Sequence, residues 1–75
     1  MDKHSLMIDG HATSISLEGP FWDALKTLAK EEDVSLSALV TRIDRERGDR
    51  QDHNLCSALR VYVLQQLQNK LLPPA

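Results

Sequence analysis

Polar and apolar residues change their period along this chain, and each change marks an element. His11 to Leu17 alternates, with Thr13, Ile15 and Leu17 on one side and Ala12, Ser14 and Ser16 on the other. Period two predicts a half-buried strand. A short apolar run, Ser5-Leu6-Met7-Ile8, precedes it across Asp9-Gly10. That dipeptide favours a type I′ hairpin turn, because Gly tolerates the positive φ the turn requires. Residues 1–11 are therefore expected to be an N-terminal arm or an extra strand. Glu18-Gly19-Pro20 breaks the strand, and Pro20 suits the first position of a helix, where its missing N–H has no intrahelical partner to lose.

Phe21, Trp22, Leu25, Leu28 and Ala29 then recur at three- and four-residue steps, which predicts an amphipathic helix facing a core. Glu31-Glu32-Asp33 ends it. Ser35 offers a side-chain oxygen to the first N–H groups of a second helix whose buried stripe is Leu36, Leu39, Val40 and Ile43. Arg45-Glu46-Arg47-Gly48 closes that helix with cations near the negative end of its dipole and a Gly for a left-handed cap. A polar connector, residues 48–54, ends at Asn54, which can cap a third helix over residues 55–70. The apolar positions of this last helix cover more than one stripe, so it is expected to be covered on several sides. Residues 71–75, with Pro73-Pro74, form a tail.

Size and charge narrow the picture. A chain of 75 residues makes one small domain, which leaves apolar surface exposed unless a staple or a second chain covers it. Cys56 is the only cysteine, so no intrachain disulfide is available and a reducing cytoplasm suits the chain. Oligomerisation is the remaining way to complete the core. No apolar run reaches the roughly 18 residues of a membrane span, and the first residues lack the apolar core of a signal peptide. The net charge of −2 gives no global attraction to nucleic acid, so a nucleic-acid role must rest on local geometry.

Ala12 to about Arg45, within an expected core domain of residues 12–47, resembles the ribbon-helix-helix family of dimeric bacterial and phage DNA-binding proteins, the family of the Arc and MetJ repressors. The resemblance lies in Ser14-Ile15-Ser16-Leu17 as the ribbon, Trp22, Leu25 and Ala29 on the first helix, and Val34 to Val40 as the loop and second helix start. Gly10 to Glu18 with Phe21-Trp22, Ile43-Asp44 and Ser57 to Leu64 is similar to a small subfamily carrying an extra C-terminal helix. The resemblance implies a mainly helical homodimer with a short β-ribbon, in which antiparallel strands from two chains lie over a shared helical core, plus a third helix. It implies a transcriptional regulator that inserts its ribbon into the major groove of double-stranded DNA. Carried over by position, Ala12, Ser14 and Ser16 would face the bases, and Ser35, Leu36 and Ser37 would hold a phosphate at the helix N-terminus. Lys3 and His11 would add positive charge beside the ribbon.

Other chemistry finds little support in the sequence. His4, His11 and His53 have no helical i, i+4 spacing and no completing ligands, so no metal or other cofactor is expected. No activated nucleophile or phosphate-cradling Gly loop is present, so the chain does not read as an enzyme. The competing class is a protein-interaction or assembly module, or an antitoxin-like protein, with the same dimeric core and no sequence-specific DNA binding. Its third helix would recruit a partner protein or join dimers into a tetramer.

Overall fold

The computed structural model describes residues 2–47 and 54–71. Two strands, β1 (Asp2–Ile8) and β2 (His11–Leu17), precede three helices, α1 (Gly19–Glu31), α2 (Leu36–Arg47) and α3 (Leu55–Leu71). Helix α1 begins at Gly19, so Pro20 lies one position inside the start. Helix α3 runs to Leu71, one residue beyond the expected 55–70. The cap expected from Gly48, the connector of residues 48–53 and the Pro73-Pro74 tail lie outside the described residues.

The strands form an antiparallel hairpin in which all seven residues pair, from Asp2 opposite Leu17 to Ile8 opposite His11. Asp9 (φ 51°) and Gly10 (φ 82°) supply the two positive angles of a type I′ turn, whose twist matches that of the strands it joins. The partner of β2 within this chain is thus β1. Register and period two then sort the side chains. Lys3, Ser5 and Met7 stand opposite Ser16, Ser14 and Ala12 on the outer face, while His4 and Leu6 stand opposite Ile15 and Thr13 on the inner one. His11 shares the inner parity but sits exposed beside the turn.

One apolar cluster lies beneath the inner face. Ile15 and Leu17 are 1% and 0% exposed and belong to the same cluster as Leu25, Leu39, Val40, Leu59 and Val63. All three helices contribute. Helix α3 packs on both other helices and on β2, so a core that the sequence assigned to two chains closes largely within one. Phe21, Trp22 and Tyr62 are partly buried against it, as their helical spacing suggested.

Local chemistry explains the helix ends. At the end of α1, Val34 N–H donates to Ala29 O (3.0 Å) and Asp33 N–H to Lys30 O (3.1 Å), with Asp33 at φ 60°. This is a Schellman cap in which Asp takes the place usually held by Gly. The Ser35 Oγ accepts from Ala38 N–H at 3.0 Å, and Asn54 Oδ1 accepts from Ser57 N–H at 2.8 Å. Both are side-chain N-caps of the expected kind.

Replacing Gly10 by Ala tests the turn. A Cβ at Gly10 meets nothing within 4 Å, so the cost is backbone strain alone. We expect a loss of about 1 kcal/mol, partly offset by reduced freedom of the unfolded chain, read as a fall of roughly 4–8 °C in the melting temperature by circular dichroism.

Candidate nucleic-acid interface

The N-terminus of α2 opens into a cleft of about 530 Å³ lined by Lys26, Ala29, Lys30, Asp33, Val34, Ser35 and Leu36. Ser35 satisfies the N–H of Ala38, and Leu39 N–H returns to Ser35 O at 3.0 Å. The N–H groups of Leu36 and Ser37 come earlier in the helix and have no intrahelical acceptor. Together with the positive end of the dipole they give this corner a partial positive charge that would favour an anion. The tight cap after α1 turns the chain sharply enough to bring Lys26 and Lys30 to this corner. These lysines, four residues apart on the solvent side of α1, are functional candidates that sequence reading left on a solvated face. Two cations thus face one carboxylate, Asp33, at the mouth of the cleft. Lys26 also lies 3.6 Å from Asp23, but both are well exposed, and such pairs contribute little.

The hairpin's outer face is the second component. Ala12 and Ser14 are exposed, Ser16 is half-buried, and Lys3 is the one cation on that face. The expected base-facing residues therefore lie side by side, joined by Ser5 and by Met7, which is 54% exposed. Their hydroxyls can both donate and accept, so they contact bases with little discrimination.

The turn is tied to α2. Arg45 Nη2 donates to Asp9 Oδ1 at 2.7 Å, and Asp9 N–H points at Thr41 Oγ1 at 3.4 Å. A second cleft of about 450 Å³ runs between this turn and α2 and includes Ser37. The three expected phosphate-facing residues thus divide between the two clefts, with Ser35 and Leu36 in the first and Ser37 in the second.

A polar junction holds the helices that frame the cleft. Arg42 of α2 donates to both oxygens of Glu32, at 2.9 and 3.0 Å, and Tyr62 of α3 donates to Glu32 Oε2 at 2.8 Å. The Arg42 bond and then the Tyr62 bond lower the Glu32 pKa, while burial and the Glu32 bond raise that of Tyr62. At the other end of α1, Arg60 Nε donates to Glu18 Oε1 at 3.0 Å. Glu18 is lowered first by its own backbone hydrogen bond and then by Arg60. On β1, His4 stacks on Trp22 with ring centroids 3.9 Å apart and planes 6° apart. Among the described residues no group of three potential ligands could hold a metal, and no helix is long and apolar enough to cross a membrane.

A two-stranded ribbon followed by capped helices, the second tied to the hairpin turn through Thr41 and Arg45, defines a class of small binding domains. The family model for the ribbon-helix-helix domain matches residues 1–67, and the chain belongs to that family. Members are commonly DNA-binding transcription regulators or antitoxins, and such domains generally dimerise. Among curated proteins and among solved structures, no match to the chain was found.

The polar junction gives a pH prediction. A depressed carboxylate pKa contributes stability above its ordinary value of 4.5, and the contribution is lost as the pH falls through the lower folded value. Glu32→Gln should lower stability at neutral pH and flatten the loss below about pH 4.5, as measured by urea unfolding at a series of pH values.

Proposed function

We propose that this protein is a homodimeric DNA-binding regulator that holds the duplex backbone at the N-terminus of α2 in each protomer. The observation that carries this reading is the cleft where Lys26 and Lys30 stand with Ser35 and Leu36 at the start of α2. Phosphate contacts of this kind position a protein on DNA without reading sequence. The hairpin's outer face, with Lys3, Ser5, Met7, Ala12, Ser14 and Ser16, would lie toward the groove, whose width suits two paired strands. Serines and an alanine read bases weakly, so the backbone contacts supply most of the affinity. Lys3 adds positive charge near the ribbon, with His11 as an accessory polar side chain beside the turn. The protein acts in the cytoplasm and without catalysis on this reading.

Titrating duplex DNA by fluorescence anisotropy over a range of salt concentrations tests the proposal. Lys26→Gln and Lys30→Gln should each weaken binding about equally for all sequences and reduce the salt slope by about one per lysine in each protomer. Absence of DNA affinity even at low salt would overturn it.

The pairing of β1 with β2 favours a second reading, an assembly or antitoxin-like module. A two-residue turn makes Ile8 and His11 a hydrogen-bonded pair, and alternation then turns the backbone groups of Ala12, Ser14 and Ser16 toward the free edge of β2. That edge lacks Pro, charge and bulge, the features that usually discourage pairing. If the edges of two chains pair, the sheet has four strands and about 14 Å between its outer strand axes. That exceeds a groove roughly 12 Å wide. Ser14→Pro removes an edge-facing N–H and spares the hairpin. It should halve the mass seen by light scattering if the β2 edges join the dimer, and an unchanged mass would place the dimer contact elsewhere.

A further inference from the structure

The outer face of the hairpin is built of three cross-strand rungs, Lys3 with Ser16, Ser5 with Ser14 and Met7 with Ala12. Ile8 and His11 form the hydrogen-bonded pair beside the turn, so all three rungs are non-hydrogen-bonded pairs, the kind whose side chains stand closest. Their chemistry changes along the face: a cation at the far end, two hydroxyls in the middle and two apolar groups beside the turn. Met7 is 54% exposed, and Ala12 is exposed too. One exposed Met is ordinary on a protein surface. What sets Met7 apart is its setting, because it enlarges Ala12 into an apolar step on a face with one cation and no carboxylate, in a chain of net charge −2. Charge therefore favours a polyanion over a second copy of the same face.

We propose that Met7, with Ala12 beside it, reads the 5-methyl group of thymine when the ribbon lies in the major groove. The inference rests on the DNA reading above and adds a base preference to it. That methyl is the one apolar group that projects from the major-groove edges of the four bases, whose other groups are donors and acceptors. The side chains of the outer face divide in the same way. Ser5, Ser14 and Ser16 both donate and accept, so they tolerate any base. Lys3, two rungs from Met7, reaches a phosphate or a guanine. Only Met7 and Ala12 gain from meeting an apolar group and lose from desolvating a polar one.

The thioether side chain suits this task. Met is unbranched and flexible, so it settles over a methyl whose position varies with local groove shape, and the small Ala12 opposite leaves it room to swing. Burying one methyl raises affinity about fourfold, near the low end of what a bidentate polar contact gives. The protein then favours thymine modestly, while phosphate contacts hold it on DNA of any sequence. The residue comes to the face through the turn: Asp9 and Gly10 at positive φ set the register that places Met7 opposite Ala12.

Fluorescence anisotropy at low salt tests the proposal with one mixed-sequence duplex in three forms: natural, with deoxyuridine for every thymidine, and with 5-methylcytosine added to the deoxyuridine form. The parent should bind the natural form about fourfold more tightly than the deoxyuridine form for each methyl covered, and 5-methylcytosine should restore part of the loss. Met7→Ser should bring the three forms to equal affinity and leave both the remaining binding and the thermal melt in place. Met7→Gln, which keeps the length and adds a polar amide, serves if the serine variant melts early. Equal parent affinity for the natural and deoxyuridine forms would overturn the thymine reading alone. So would a methyl preference that persists undiminished in both variants, since DNA shape would then carry it. Absence of binding to every form would overturn the DNA reading and this inference with it.

Discussion

A two-residue turn leaves the chain no slack, and most of this structure depends on where Asp9 and Gly10 place it. With both residues at positive φ, β1 folds back in a single register, and a slip of one residue would send Ile15 and Leu17 into solvent. The burial of these two side chains therefore enforces the register that the turn proposes. Local conformation and core packing agree on one pairing, and that agreement also determines which residues the outer face presents.

The second determinant is α3. A domain of this size is usually short of core, and the ribbon-helix-helix family commonly makes up the shortfall with a second chain. Here Leu59 and Val63 come up beneath the sheet from the same chain, and polar contacts to Glu18 and Glu32 pin the helix at both ends of α1. Dimerisation is thereby freed from the task of burying the strand's inner face. Two chains can meet along strand edges or helix sides without either having to complete the other's interior.

Period two made β2 and its inward residues legible from sequence, and three- and four-residue spacing did the same for the helices. The Ser35 and Asn54 caps were legible because their chemistry is local. Asp9-Gly10 announced a hairpin, yet sequence could not weigh an in-chain partner for β2 against a partner from another chain, since both satisfy the same backbone groups. Lys26 and Lys30 were missed for a related reason. On a helical wheel they are solvated charges, and only the direction of the chain after Asp33 brings them to the start of α2. The Glu32 junction was equally hidden, because Arg42 and Tyr62 reach it from ten and thirty residues away.

Asp9 is held by the Arg45 side chain and faces the Thr41 hydroxyl, which moors the ribbon's tip to the helix whose other end forms the proposed anion corner. A surface spanning from groove to backbone works like a caliper, useful only when its jaws keep their separation. The mooring fixes that opening in the free protein, so on the proposed reading a duplex would not first have to arrest a swinging hairpin. It also makes the gap a property of α2 itself: altering the turn would reset the distance between the jaws without touching any residue on their faces.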